Sequence, residues 1–347
     1  GDTQVGKSET SQKLVDLYNF GHFLSLKTST IPGLIGGSDS HEGGLVTKIG
    51  AIPRQHKKLV VLEEFTGANP KFISTMTDIR SSGIARVGRV ASEISVPCRL
   101  RMITISNPLN DENGTPRHLN TFPNGIAPIM EIIKASEDVV RYDGFLLVDK
   151  PKERINPFKY KLEGEKIPEE AYQHKVNWIY TRTPEDVIFD EGVENYIWEK
   201  AEELNSIFES SFPLFTTTTS LKLARFSVAM ASLVVSTDET YTKVIVTKDI
   251  IDEVVNYFME IYDNSIFKLK DYKIEQDSYT NISNIEQKEF QKIYDKNSTM
   301  FDFLSQQSTT SRKNLQVVSG LDNDTFGTVF NKLVKHKFIR LTKETVT

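Results

Sequence analysis

A chain of 347 residues is too long for one ordinary core, so two or three domains are expected. With 38% hydrophobic and 26% charged residues, and no apolar run long enough to span a bilayer, the composition excludes a disordered or membrane-spanning chain. The net charge of −5 gives nucleic acid no global attraction, and the single cysteine, Cys98, rules out an internal disulfide or a Cys-based zinc cluster.

No signal peptide is visible, and a reducing, cytoplasmic setting fits, nucleoid-associated in a bacterium. The chain opens on Gly1-Asp2-Thr3-Gln4-Val5-Gly6-Lys7-Ser8, which satisfies G-x-x-x-x-G-K-[ST] at every fixed position. Such a loop hangs from a buried strand, so a strand upstream of residue 1 is expected. Gly1 and Gly6 let the backbone curl so that its N–H groups face phosphate oxygens. Lys7 neutralises phosphate charge, and the Ser8 hydroxyl can ligate Mg2+. The next run, to Tyr18, carries Leu14, Val15 and Leu17 and reads as a helix whose N-terminus adds positive potential. The expected nucleotide-contacting set is Gly1, Asp2, Thr3, Gln4, Val5, Gly6, Lys7, Ser8 and Glu9. The motif says phosphate loop and no more; a chance turn is its bland alternative.

Leu59-Val60-Val61-Leu62 reads as a strand buried on both faces, ending in Glu63 and Glu64. Carboxylates at the carboxyl end of such a strand lie where ligands bind in open α/β sheets. Glu63 is assigned to the metal and Glu64 to the attacking water; alternatively the two acids only cap a strand against solvent. Met102-Ile103-Thr104-Ile105-Ser106-Asn107-Pro108 repeats the pattern, with Asn107 a candidate for the γ-phosphate, although Asn-Pro is also an ordinary turn. A fourth strand-like run, Gly144-Phe145-Leu146-Leu147-Val148-Asp149, follows Arg141-Tyr142-Asp143. Strands alternating with helical stretches predict a mostly parallel α/β sheet.

The order of these motifs resembles the MCM replicative helicases, including the MCM-like helicases of mobile elements, over about residues 1–259. Residues 1–8 resemble the Walker A segment and 59–65 the Walker B segment. Gly33-Leu34-Ile35-Gly36, with the stretch to Gly50-Ala51, resembles the helix-2 insert. Ile84-Ala85-Arg86-Val87-Gly88 is similar to the Ile-Ala-Lys-Ala-Gly of the pre-sensor-1 hairpin, and Ser106-Asn107-Pro108 to the sensor-1 strand end. Val140-Arg141-Tyr142-Asp143 resembles Ser-Arg-Phe-Asp, which carries an arginine finger acting in the neighbouring subunit. Leu147-Val148-Asp149-Lys150-Pro151 continues the match. Glu63 stands where the family has Asp, and Arg86 where it usually has Lys. The family's sensor-2 arginine falls near Thr218, so Lys222 or Arg225 is the expected substitute.

The resemblance implies an α/β fold: a P-loop AAA+ core over residues 1–152, a connecting loop and α-helical lid over 153–265, a linker over 266–287 and a winged-helix domain over 288–347. It implies ATP and Mg2+ as cofactors, and Lys7, Glu64, Asn107 and Arg141 as the catalytic set. Metal ligands would be Ser8 and Glu63. The partners implied are single-stranded or forked DNA, further copies in a hexameric ring, and a replication initiator, primase or polymerase; no membrane is implied. Taken alone, Arg141 reads as a surface ion pair with Asp138 or Asp143.

Between Arg80 and Arg101 lie Arg86, Arg89 and Arg99 against a single acid, Glu93, on a stretch suited to a β-hairpin. A basic hairpin can grip phosphates in a ring's pore, with Arg86 and Arg89 as contacts; the alternative is a charged edge strand. The glycine-containing stretch 38–47 is a second candidate pore loop.

Residues 155–174 read as a connecting loop, and Thr183-Pro184-Glu185-Asp186 as a helix start. Val193, Ile197, Ala201 and Leu204 repeat at helical spacing, 220–235 and 247–261 continue in that style, and Thr247 is a fair N-cap. Residues 268–286 look like a linker. Helices over 289–307, 312–320 and 324–337, then a strand at Phe338, outline a winged helix, which docks DNA or, in the alternative, a protein. Competing readings of the whole are an ATP-dependent transcription activator, echoed by Phe65-Thr66-Gly67-Ala68, and a DNA-binding scaffold with a degenerate nucleotide site.

Overall fold

The computed structural model describes residues 1–41, 44–88, 93–111, 113–151, 167–280, 291–306, 310–335 and 339. The chain divides into two compact units, Gly1–Lys273 and Ile274–Thr347.

The first unit begins with helix α1 (Lys7–Tyr18), strand β1 (Gly21–Ser25), the single turn α2 (Ile31–Leu34), and the hairpin β2 (Gly36–His41) and β3 (Gly44–Ile49). Strand β4 (Leu59–Glu63), helix α3 (Pro70–Ser82), the hairpin β5 (Ile84–Val87) and β6 (Ile94–Pro97), and strand β7 (Arg101–Thr104) follow. Strands β1, β4 and β7 form one parallel sheet in that order, with Ser25 opposite Glu63 and Thr104 opposite Leu62.

Strand β4 is central, and its alternation explains why it reads as an unbroken apolar run. Leu59 and Val61 pack with Val15 of α1 and Ile105 on one face. Val60 and Leu62 pack with Phe72, Met76 and Ile79 of α3 on the other. With both faces covered, neither set of side chains meets water, and four such residues contribute on the order of 8 kcal/mol of burial. Helix α3 is well bounded: the Asn69 side chain accepts from the Lys71 N–H at 2.9 Å, Pro70 occupies the first turn, and Gly83 closes the helix. The mixed α/β class with a parallel sheet is therefore as expected.

The run at residues 144–149 forms no strand, contrary to expectation. Its backbone tie to the neighbouring chain is the Asp2 N–H donating to the Val148 carbonyl at 2.7 Å, and one bond makes no ladder.

Helices α4 (Ile126–Ile133) and α5 (Ser136–Val139) lead to α6 (Glu169–Thr181). Strand β8 (Val187–Phe189), α7 (Val193–Phe208), α8 (Thr219–Leu233), β9 (Val244–Val246), α9 (Lys248–Tyr262) and α10 (Leu269–Thr280) complete the run. The apolar spacing in α7 is realised: Val193, Ile197, Ala201, Leu204 and Phe208 are all buried. Thr247 caps α9 through the Ile250 N–H.

Three segments depart from the sequence reading. Helix α6 takes in residues 169–174, expected in a loop; it is held by buried Val176, by Trp178 against the core and by Tyr180, whose ring centroid lies 4.6 Å from that of Phe20. Thr183 starts a single 3-10 turn, not a helix, since Val187-Ile188-Phe189 are drawn into parallel pairing with β9. Residues 269–280, within the expected linker, are helical, and Leu269 is fully buried in the core around Phe212 and Tyr262.

Lys222 of α8 is an unusual tenant of that core, only 4% exposed, with Nζ donating to the Leu214 carbonyl at 2.8 Å. Burial lowers its pKa to about 8, against the pull of Asp143 and alongside Arg225. Between about 8 and the unfolded value near 10.4, the unfolded chain holds a proton that the fold has released, so stability rises with pH. Lys222→Met is expected to be more stable than the native protein by about 1–2 kcal/mol at pH 7, after the lost carbonyl bond is set against the relieved desolvation. That advantage should fade towards pH 10, as urea unfolding at the two pH values would record.

The second unit contains helical residues 291–296 and helices Ser298–Gln306, Arg312–Ser319 and Asn323–Lys335. The single helix expected over 289–307 is broken at Asn297, whose side chain donates to the Ile293 carbonyl. Met300, Leu315, Phe326, Phe330 and Leu333 form the core. Of the strand expected from Phe338, only Ile339 is among the described residues.

Candidate functional site

The loop at residues 1–8 runs straight into α1, with Gly6 as its N-cap at φ 80°. An L side chain is strained there, and a Cβ on Gly1 would lie 2.6 Å from the Val148 carbonyl oxygen, so both motif glycines are required by the backbone. Gly1 and Asp2 bond in opposite directions, the Gly1 nitrogen to the Ser106 carbonyl at 3.0 Å and the Asp2 N–H to that of Val148. This alternation places the loop between the end of β7 and the 144–149 run. Thr3, Gln4 and Val5 form its turn, with Gln4 in the left-handed region, and Ser8 sits in the first turn of α1.

Lys7 folds back across the loop. Its Nζ donates to the carbonyls of Gly1, at 3.2 Å, and Asp2, and to Asn107 Oδ1 at 2.9 Å. Burial lowers the Lys7 pKa, while the carboxylates of Asp2 and Glu63 pull it upward. The fold thus brings together Lys7, Asn107 and Glu63, which are far apart in sequence, at the carboxyl ends of β4 and β7.

Glu64 follows β4 in the left-handed region, φ 59°, which turns the chain away from the strand axis. Its Oε2 accepts from Ser25 Oγ at 2.8 Å, and Lys27 Nζ lies 3.9 Å from Oε1. Ser25 was missed by sequence reasoning. Its signal is positional: it ends β1 directly opposite Glu63, and only the strand register reveals that. Asp2 was expected among the nucleotide-contacting residues. Its side chain is buried, accepting from the N–H groups of Leu119, at 2.7 Å, and Lys150, at 3.1 Å.

Glu9 is turned along the helix to Lys13 at 2.8 Å, which lowers its pKa. Arg141 is bonded within the chain, its Nη1 to the Glu137 carbonyl at 2.6 Å and to Asp138 at 3.5 Å. Arg86 is exposed on β5, between buried Ala85 and Val87 and opposite Ser95. Arg89 lies outside the described residues. Stretch 38–47 falls on the β2–β3 hairpin, where Lys48 pairs with Asp39 at 2.7 Å. Of the sensor-2 substitutes, Lys222 is committed to Leu214, and Arg225 pairs with Asp143 at 2.6 Å.

A cavity of about 560 Å³ adjoins the loop, lined by Lys7, Thr10 and Ser11 at its polar end and by Met102, Ile105 and Leu147 along its apolar walls. Ser8, Glu63, Glu64 and Asn107 are not part of its wall.

Fold and site together define a mixed α/β protein whose cation, carboxylates and amide meet at the ends of parallel strands. No family model matches the chain, and no curated protein matches it.

Proposed function

We propose that this chain is the motor of an ATP-dependent DNA helicase with a P-loop AAA+ core, acting as a hexameric ring that translocates on and unwinds DNA during replication or its initiation. The supporting observation is the contact of Lys7 with Asn107 beside Glu63, at the mouth of a glycine-bounded loop that runs into a helix N-terminus. A helix N-terminus presents unpaired N–H groups and a partial positive charge, and Lys7 adds a full one; a polyphosphate is the ligand that combination suits.

The carbonyls and Asn107 that now hold Lys7 are neutral acceptors, which a phosphate oxygen can replace. Among the described residues no three His, Cys, Asp or Glu side chains cluster to hold a metal. Mg2+, which supplies charge neutralisation on the phosphates, would therefore be held by Ser8, Glu63, phosphate oxygens and water, its usual mode. Glu64 orients and deprotonates the attacking water, Asn107 fixes the γ-phosphate, and Arg141 reaches a neighbouring subunit's nucleotide. Arg86, exposed on the β5–β6 hairpin, contacts DNA phosphates. The second unit is assigned as a winged helix on its helices and shared core.

Strand displacement on forked DNA tests this reading. ATP-dependent unwinding is expected, lost in Lys7→Ala, with a preference for one tail polarity. Lys7-dependent hydrolysis without unwinding would favour the transcription activator, and absence of Lys7-dependent hydrolysis would favour the scaffold.

A further inference from the structure

We propose that Asp138 is a positioning residue that fixes the Arg141 guanidinium and ties it to the root of the β5–β6 hairpin. The inference rests on the reading of Arg141 as a finger for a neighbouring site, and it adds how DNA at the hairpin governs that finger.

A single carboxylate oxygen, Oδ1 of Asp138, collects three donors. Thr77 Oγ1 lies at 2.8 Å, Arg80 Nη2 at 3.2 Å and Arg141 Nη1 at 3.5 Å. Two of these donors are one turn apart on α3, and the third follows α5. The side chains of Arg80 and Asp138 are 7% and 13% exposed, so this pair is screened from solvent. Arg80 also lies over the Tyr142 ring, 4.8 Å from its centroid. Arg141 is therefore bracketed: the residue three before it and the residue after it both rest on Arg80. Among the described residues its contacts all use Nη1, which leaves the other edge of the guanidinium for an anion.

The tie reaches the hairpin directly. Arg80 lies in the last turn of α3, and Gly83 passes the chain into β5, where Arg86 is exposed. A buried ion pair is directional, and removing one partner strands the other charge, so the two elements keep one relative geometry. A shift of the hairpin on binding DNA is carried through Arg80 and Asp138 to Arg141, with α5, a single turn, too short to hold its own shape.

The test is steady-state ATP hydrolysis by the whole protein, with and without single-stranded DNA. The double variant Arg80→Met/Asp138→Asn removes both charges of the buried pair, and Arg141, which loses the Asp138 carboxylate, is 30% exposed and keeps its charge in contact with solvent. Its kcat should fall about 10- to 100-fold, as expected for a misplaced catalytic group, with KM for ATP within about twofold and no stimulation by DNA. In the Arg141→Ala background the same pair of changes should cost less than about twofold, because groups acting through one another are not additive. Thr77→Val, which leaves both charges of the pair in place, should lower the DNA stimulation; it gives up one hydrogen bond to the Asp138 carboxylate, so its melting temperature should fall modestly while the protein stays folded. It covers the case in which the double variant fails to fold.

If Arg141→Ala is slow while the folded double variant or Thr77→Val keeps native kcat and stimulation, the positioning role is overturned and the finger stands. Losses that multiply in the triple variant overturn it as well. If Arg141→Ala itself hydrolyses ATP at the native rate, the finger reading falls and takes this inference with it.

Discussion

Glu64→Gln is expected to slow ATP hydrolysis about 10²- to 10⁴-fold, the range for loss of a general base, while nucleotide affinity changes by less than about threefold. Gln keeps the shape of Glu64 and its bond from Ser25 but cannot take a proton. Lys7 and the loop, which hold the nucleotide in the proposed function, do not touch Glu64 among the described contacts, so binding and chemistry are expected to separate. Ser25 sharpens the test. It donates to Glu64 at 2.8 Å from the end of the neighbouring strand and so fixes the orientation of the carboxylate. Ser25→Ala should therefore lower kcat without weakening nucleotide binding. Phosphate release and fluorescent-nucleotide titration measure the two quantities. A Glu64→Gln protein with more than half the native rate would remove Glu64 from the reaction.

The parts of the site that could be read from sequence are those that recur at fixed local spacing. The loop motif is contiguous, so Gly1, Gly6, Lys7 and Ser8 announce themselves, and the run from Leu59 to Glu64 reports a strand end because both faces of β4 are buried. Asn107 was legible as the polar tip of a second such strand, and the fold brings it to Lys7. Groups whose role depends on register or on distant backbone were not legible. Ser25 acquires meaning only when β1 is paired with β4, and the tie of Asp138 to Thr77 and Arg80 only when α5 is set against α3.

Misread secondary structure has a related cause. The 269–280 stretch is polar enough to pass for a linker, and one buried Leu269 with its neighbour Phe267 anchors it as a helix. The 144–149 run is apolar enough to pass for a strand, yet strand identity belongs to a ladder and not to a segment. Arg141 stands between the two cases. Its contact with Asp138 matches the expectation of an ion pair, and the positioning role proposed for Asp138 rests on that same contact together with Arg80 and Tyr142.

Asp2→Ala is expected to destabilise the first unit by about 3–5 kcal/mol, since hydrogen bonds to a charged acceptor are worth roughly 1.5–3 kcal/mol each and two buried N–H groups lose theirs. The carboxylate is 4% exposed and spends both oxygens, Oδ1 on Leu119 N–H and Oδ2 on Lys150 N–H, so water cannot take its place. Asp2→Asn discriminates this account from simple packing. Asn has nearly the same volume, but it keeps only one acceptor and sets an NH2 against the other N–H, so it should recover at most about half of the loss. Urea unfolding of the three proteins gives the comparison; an Asn variant as stable as the native protein would rule out the two-acceptor role. The effect should also reach the nucleotide. The Asp2 backbone carbonyl accepts from Lys7, and Asp2 N–H holds the loop to Val148, so release of the side chain lets the cradle drift away from Lys7. ATP binding should then weaken about tenfold, as preorganisation is lost, although Asp2 itself contributes no side-chain atom to the phosphates.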